Sequence, residues 1–156
     1  MSHKVLLLYN TPKAKRYFSA LHDHVSGLDI HIRPLLARLS GPRLNPAQLG
    51  AIADYTMRRK HARYRIPPWR IRLLERAHRR AAQWHFNWAH AEIERIRPDA
   101  VGVWGGQAVD VRAALAACDI AGVPRYTFET GLLPNTTTCD PRGVNFDNSV
   151  PRDPSF

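Results

Sequence analysis

Residues 4–9 form an almost continuous apolar run, Lys-Val-Leu-Leu-Leu-Tyr, that stops at Asn10-Thr11-Pro12. A strand that is apolar at successive positions, rather than at every second one, is typical of a strand buried on both faces of a parallel sheet. Thr11 and Pro12 are the residue types that begin a helix, because a side-chain acceptor is followed by a fixed φ. The N-terminus therefore predicts a central strand that leads into a helix reaching about His24.

The rest of the chain repeats this alternation and predicts a single Rossmann-like α/β domain over residues 1–156. Turn-forming and helix-capping residues, such as Asn45-Pro46 and Pro67-Pro68, separate the segments. The order β-α-β-α-α-β-α-β favours a parallel sheet flanked by helices. The predicted segments are strands 4–9, 28–32, 101–104 and 123–128, and helices 12–24, 46–65, 69–96 and 108–121.

The charge of the chain is its most unusual bulk property. Lysine and arginine number 23, aspartate and glutamate 13, and the formal net charge is +10. Such a balance favours anionic partners, among them nucleic acid, acidic membrane and phosphorylated substrates. Most of the excess lies in a helical basic segment, 46–97, which ends its first helix with the run Arg58 to Arg65. Three further basic residues, Lys13, Lys15 and Arg16, follow the first strand, where a solvated basic face is the preferred explanation and a nearby anionic ligand the alternative.

The second long helix carries a periodic apolar stripe that predicts its core-facing side. Because the tryptophans of this helix fall on that stripe, we expect them to lie in the core rather than to stack on nucleic-acid bases. The stripe consists of Ile71, Leu74, Ala77, Ala81, Trp84, Trp88, Ala91 and Ile96.

The cysteines and histidines predict neither a disulfide framework nor a metal site. The two cysteines, Cys118 and Cys139, occur without a CxxC motif, and Cys118 lies in an Ala-rich helical run typical of a core residue. His78 and His85 share a helix face, but no HExxH motif or carboxylate completes a zinc site. No apolar run has the length of a membrane span, and the N-terminus lacks the features of a signal peptide, so we expect a cytoplasmic protein.

Gly105-Gly106-Gln107 joins a predicted strand to a predicted helix. This arrangement allows a ligand to approach backbone N–H groups at a helix N-terminus. A tight turn that requires glycine explains the same residues equally well, since neither a GxGxxG nor a Walker motif is present.

The C-terminal stretch changes abruptly from a strand pattern to turn chemistry. Glu129 stands where the strand 123–128 ends, next to Gly131, and residues up to 154 are rich in proline, asparagine, aspartate and glycine. Loops of this length in compact domains are usually functional or disordered, and recurring apolar residues favour the first. Because ligands of open α/β sheets bind at the carboxyl ends of strands, Glu129 is a candidate site residue. A capping loop without chemistry is the alternative.

Three motifs in this stretch and one before it resemble a known enzyme family. They read ETGLLP from Glu129, DPRGVN from Asp140, NSVPRD from Asn148 and DAVGVWGG from Asp99. The strings are similar to those of the retaining β-Kdo glycosyltransferases of capsule and lipopolysaccharide biosynthesis, which use CMP-Kdo. The rest of the chain matches only as a loose α/β pattern.

The resemblance implies the N-terminal half of a two-domain, GT-B-type enzyme, with the second half absent from this chain. It implies Glu129 as a catalytic acid or base, a nucleophile outside the motif, CMP-Kdo as donor and no other cofactor. The implied partners are an anionic glycolipid or glycan acceptor and the cytoplasmic face of the inner membrane. The substrate-binding residues by this resemblance are Gly105, Gly106, Gln107, Gly131, Asn145, Asn148, Ser149 and Arg152.

Two other interpretations stay open at this point. The chain could be a basic binding module for nucleic acid or a partner protein that keeps the fold without the chemistry, because fold alone does not define function. It could also be a fragment that another chain completes. Of the anionic partners, nucleic acid is disfavoured, since the tryptophans are expected in the core.

Overall fold

The computed structural model describes residues 2–64, 66–131, 133, 135–143 and 148–149, with the side chains of 58–64 and 68 left out. Five strands and four helices alternate along these residues. They are β1 (His3–Tyr9), α1 (Pro12–His24), β2 (Leu28–Pro34), α2 (Pro46–Tyr64), α3 (Pro68–Ile96), β3 (Ala100–Trp104), α4 (Val109–Ala121), β4 (Arg125–Thr130) and β5 (Thr137–Asp140).

The strands form one sheet in the order β2-β1-β3-β4-β5. The first four run parallel, and β5 pairs antiparallel to β4 at the edge. The predicted α/β class, with a mostly parallel sheet flanked by helices, is therefore confirmed. The predicted helical segment 46–97 corresponds closely to α2 and α3.

The apolar run of β1 occupies the middle of the sheet, as its sequence predicts. Leu6 and Leu8 are fully buried and belong to the main core, whereas Leu7 points to the opposite face. Of the helices described, α1 is the one that packs on that opposite face. Its Phe18 contacts the rings of Trp104 and Phe128 at centroid distances of 6.1 and 5.5 Å. The larger core lies between the other face and the helices α2, α3 and α4.

The face that α3 turns to this core agrees only in part with the predicted stripe. The buried apolar residues are Ala82, Phe86, Ala89, Ile93 and Ile96. Of the predicted stripe, Ile96 is buried and Trp88 packs against the core, whereas Ala77 and Trp84 are exposed. Periodicity alone did not identify the face because this helix carries apolar residues on two sides, and only packing against the sheet and α4 decides between them.

Strand β5 lies inside a stretch predicted to be loop, so the prediction of a sheet that ends with residue 128 is wrong. Strand β4 continues to Thr130, and Phe128 pairs with Cys139 of β5. The run Thr136-Thr137-Thr138 favours a strand, but it is short and surrounded by turn residues that obscured it. Cys139 is exposed on β5, and Cys118 is buried in the core, where desolvation raises the pKa of its thiol to about 12.

Candidate functional site

The carboxyl ends of β1 and β3 form the crevice at which open α/β sheets usually bind ligands. Phe128 contacts α1, while Arg125, which points to the other side of the same strand, bonds to Asp119 of α4. The connections that leave β1 and β3 therefore turn to opposite faces of the sheet. This divergence defines the topological switch point of the fold.

On the α1 side of the crevice, a lysine is held at the edge of the sheet. Lys13 Nζ donates a hydrogen bond to Thr130 Oγ1 at 2.8 Å and lies 5.8 Å from the centroid of the Trp104 ring. The hydroxyl of Thr11 caps the helix by accepting from the N–H of Ala14 at 3.2 Å. The first turn of α1 carries no acidic residue. This side of the crevice therefore suits an anion.

On the α4 side of the crevice, a carboxylate of the protein itself lies at the helix N-terminus. Asp110, in the first turn of α4, accepts hydrogen bonds from the side chain of Asn10 at 3.1 Å and from the N–H of Val111 at 2.8 Å. A carboxylate at a helix N-terminus stabilises the helix dipole. Because that position is already negative, a bound anion is favoured near α1 rather than near α4.

The glycine turn between β3 and α4 is held by hydrogen bonds to β4 and to α2. Gly105 has a φ of +73°, which favours glycine, and among the described residues other than its chain neighbours no atom lies within 4 Å of the place its Cβ would occupy. Its N–H donates to the carbonyl of Phe128 at 2.7 Å. The carbonyl of Gln107 accepts from Thr56 Oγ1 at 3.2 Å, and Gly106 is buried. The positive φ alone explains why residue 105 is a glycine. The open space beside it leaves room for a ligand.

Glu129 lies one residue before the carboxyl end of β4, at the edge where the crevice opens. It pairs with Thr138 of β5, and its side chain is half-buried. Side chains alternate along a strand, so Glu129 points to the α4 face while Thr130 points to Lys13. Position 131 requires glycine for a steric reason, because a Cβ there would lie 2.1 Å from Thr136 Oγ1.

Two other expected site residues, Asn148 and Ser149, belong to a different part of the sheet. Asp140 Oδ1 accepts from the N–H groups of Arg142 and Gly143, and Oδ2 accepts from the N–H and hydroxyl of Ser149. Asp140 is opposite Thr127, toward the middle of β4. The structure therefore brings together Gly105, Gly106, Gln107, Glu129 and Gly131, whereas Ser149 contacts Asp140, two residues along β5 from the partner of Glu129. Asn145 and Arg152 lie outside the described residues.

The Asp140 turn is stabilised by ionisation of its carboxyl group. Burial opposes that ionisation, but the bonds from Ser149 and from the N–H groups of Arg142 and Gly143 outweigh it and lower the pKa of Asp140 to about 2. The Asp-Pro-Arg-Gly string is the signal for this turn in the sequence, because aspartate side chains accept bonds from backbone two and three residues ahead. Asn10, Asp110 and Thr130 carry no such signal and were not expected in the site.

A cavity of about 180 Å³ lies on the α1 face rather than at the crevice. Its lining is apolar and includes Leu7, Leu21, Val25 and Tyr126. A sugar or a nucleotide needs polar partners, which this lining does not supply. In the described part of the chain, histidine, cysteine, aspartate and glutamate form no cluster of three or more suited to a metal ion.

Comparisons of the chain with protein-family models, with curated proteins and with solved structures found no match. Topology and geometry therefore define the class, an open α/β sheet domain with a switch-point crevice. Among the helices described, none is both long and apolar enough to cross a bilayer.

Proposed function

We propose that this chain is a glycosyltransferase-type domain of surface polysaccharide biosynthesis that binds an anionic sugar, or its cytidine nucleotide, at the switch-point crevice. The observation that carries the proposal is the placement of two charged groups at the carboxyl end of β4: Glu129 on the α4 face, and Lys13, bonded to Thr130, on the α1 face. The resemblance of the motifs around Glu129 to retaining β-Kdo glycosyltransferases supports the choice of sugar. Kdo carries a carboxylate and CMP a phosphate, and both suit a lysine.

The proposed roles follow from the chemistry of the groups. Glu129 transfers a proton to or from the hydroxyl group that enters or leaves during glycosyl transfer, as carboxyl groups do in retaining enzymes. Lys13 supplies positive charge, and its bond to Thr130 holds the ammonium group at the sheet edge before a ligand arrives. Gly105 exposes backbone at the centre of the crevice.

Binding is the first test of this proposal. Titration of the chain with CMP, Kdo and CMP-Kdo is expected to show saturable binding, and Lys13→Ala is expected to weaken it about tenfold, because one charge-assisted contact is lost. Lys15→Ala is the matched control, since Lys15 is an exposed lysine of the same helix. Absence of binding for all three ligands, or equal loss in both variants, would contradict the proposal.

Catalysis tests Glu129 separately from binding. The isolated chain is expected to show no transfer, because the resemblance places the second half of the enzyme outside it. In a transfer assay with CMP-Kdo, a glycolipid acceptor and a complementing half, Glu129→Gln is expected to lower the rate at least ~10²-fold, the usual effect of removing a general acid or base. Binding of CMP should be nearly unchanged, because the proposed role is proton transfer. Glu94→Gln, at an exposed position on α3, is the control. A normal rate in Glu129→Gln would remove Glu129 from the mechanism.

A non-catalytic binding module is the second candidate, favoured by the arginine-rich surface of α3 that is described below. It predicts no affinity for CMP-Kdo and no effect of Lys13→Ala on binding to an anionic partner. The titrations above therefore separate the two candidates.

A further inference from the structure

The part of α3 from Trp69 to Trp84 exposes an apolar stripe to solvent. Trp69, Leu73 and Trp84 are 65%, 64% and 38% exposed. Residues four and eleven positions apart lie on one side of an α-helix, so these three side chains share a face. The core-facing residues Ala82 and Phe86 lie on the opposite side. A helix that is apolar both toward the core and toward solvent has an unpartnered surface.

The segment that follows β2 enlarges this stripe. Leu36 and Leu39 are 51% and 77% exposed. The N–H of Arg38 donates to the carbonyl of Trp84 at 3.0 Å, and His85 Nδ1 lies 2.8 Å from the carbonyl oxygen of Leu36. These bonds hold the segment against α3. We name the five exposed side chains Leu36, Leu39, Trp69, Leu73 and Trp84 the Trp–Leu face.

Among the described residues of α3 from Trp69 to Trp84, the exposed charged side chains that border the Trp–Leu face are arginines. Four arginines on this part of α3 are exposed, and Arg38 is exposed on the neighbouring segment. Glu75 lies on another side of the helix, where it bonds to Arg79 at 2.7 Å. The guanidinium of Arg70 stacks on Trp69, 5.0 Å from the ring centroid. The four helix arginines are Arg70, Arg72, Arg76 and Arg80.

We propose that the Trp–Leu face docks on the surface of an anionic lipid bilayer, with α3 lying in the plane of the interface. Tryptophan rings settle at the headgroup level, leucine side chains enter the acyl boundary, and arginines bind lipid phosphates. The charge of the face complements such a surface. This inference concerns a different part of the molecule from the crevice and does not depend on the proposed transfer reaction.

The same observations argue against two other occupants. Leu36, Leu39 and Leu73 have no π face on which a base could stack, so they contribute little to binding of single-stranded nucleic acid. In a two-fold dimer through this face, the arginines of both copies would meet, and like charges in an interface are costly. A lipid surface satisfies the apolar and the cationic groups together.

Vesicle binding tests the proposal. Sedimentation with phosphatidylcholine vesicles that contain increasing phosphatidylglycerol is expected to show binding that rises with the anionic fraction and falls with salt. Replacing Arg72, Arg76 and Arg80 by glutamine should lower the partition coefficient on the order of a hundredfold at low ionic strength, about fivefold for each charge. The matched control replaces Lys4, Lys15 and Arg16 by glutamine. It removes the same charge from exposed positions elsewhere and should have a much smaller effect.

A separate variant tests the apolar residues of the Trp–Leu face. Trp69→Ser combined with Leu73→Ser is expected to lower partitioning at least about tenfold. Ile120→Ser, at an exposed apolar position on α4, should not. Circular dichroism of each variant is the control that checks whether the fold is intact. Brominated lipids should quench the wild-type fluorescence more than that of Trp69→Phe, because Trp69 is expected to enter the interface.

Four results would overturn this inference. The first is equal binding to neutral and anionic vesicles, and the second is equal loss in the arginine variant and its lysine-containing control. The third is a protein that does not bind vesicles but binds single-stranded RNA, and the fourth is a dimer that Trp69→Ser with Leu73→Ser dissociates. Failure of the vesicle experiments would not contradict the proposed sugar site in the crevice. Lys13→Ala tests that site separately and should leave vesicle binding nearly unchanged.

Discussion

Asp140 joins the β5 turn to the segment around Ser149 through its carboxylate. The four bonds that it accepts come from Arg142, Gly143 and Ser149, at distances from 2.5 to 3.1 Å. Hydrogen bonds to a carboxylate favour its charged form and are stronger than those between neutral groups. The geometry of this turn therefore depends on the ionisation of one exposed acid.

Asp140→Asn should destabilise the protein at neutral pH by on the order of 1 kcal/mol, because an amide oxygen is a weaker acceptor and solvent screens the exposed site. The pKa of Asp140 falls from 3.8 to about 2 on folding. The contribution is therefore present above pH 3.8 and lost as the pH drops toward 2. Urea unfolding of both proteins across this range should give curves that converge in acid. A constant difference would show that the charge is not responsible.

The candidate site shows which residues a sequence can reveal. Glu129 and Gly105 were predicted because a strand pattern ended there and turn residues began, and both lie at the carboxyl edge of the sheet. Asn10 and Asp110 are 100 positions apart and bond only because the chain returns β3 beside β1. Ser149 was expected near Glu129, but it bonds to Asp140 of the unpredicted strand β5, opposite Thr127 rather than Glu129. Contacts that depend on strand order are not encoded in local patterns.

At the scale of elements, α3 and α4 end in the same left-handed conformation with different residues. Arg97 has a φ of 51° after α3, and Gly122 a φ of 65° after α4. A left-handed residue with a side chain costs about 1–2 kcal/mol, and glycine avoids this cost.

Arg97→Gly is therefore expected to raise the free energy of unfolding by about 0.5–1 kcal/mol, after the entropy that glycine adds to the unfolded chain is subtracted. Gly122→Ala should lower it by about 1 kcal/mol. No atom lies within 4 Å of the Cβ position of Gly122, so strain rather than a clash would be measured. Thermal or urea unfolding of both variants checks the pair. Stabilisation by Gly122→Ala would contradict the assignment of strain.

The helices also show the limits of periodicity. The bounds of α1, α2 and α4 followed from capping and breaking residues and agree with the predictions within a few positions. The core-facing side of α3 did not follow, since both sides are apolar. The side predicted to be buried includes Trp84, now part of the Trp–Leu face. An amphipathic pattern identifies the core only when one face of the helix is polar.

At the scale of the molecule, the crevice and the Trp–Leu face lie toward the same end. α3 returns the chain to the amino end of β3, so its N-terminal half lies toward the carboxyl edge of the sheet. The bond between His85 and Leu36, just after β2, is consistent with this direction. A chain docked through the Trp–Leu face would therefore present its crevice near the lipid surface. That arrangement suits an acceptor that is itself anchored in the membrane.

The position of β1 between β2 and β3 also has a consequence during synthesis. β1 and β2 are complete once Pro34 is made, but Leu6 pairs with Val101 on its other side. At translation rates of about 5–20 residues per second, the intervening stretch takes roughly 3–14 seconds to appear. During that time an edge of β1 and the leucines beside it have no native cover. We therefore expect the nascent chain to bind chaperones that recognise short apolar segments, and its yield to depend on how fast ribosomes traverse α2 and α3.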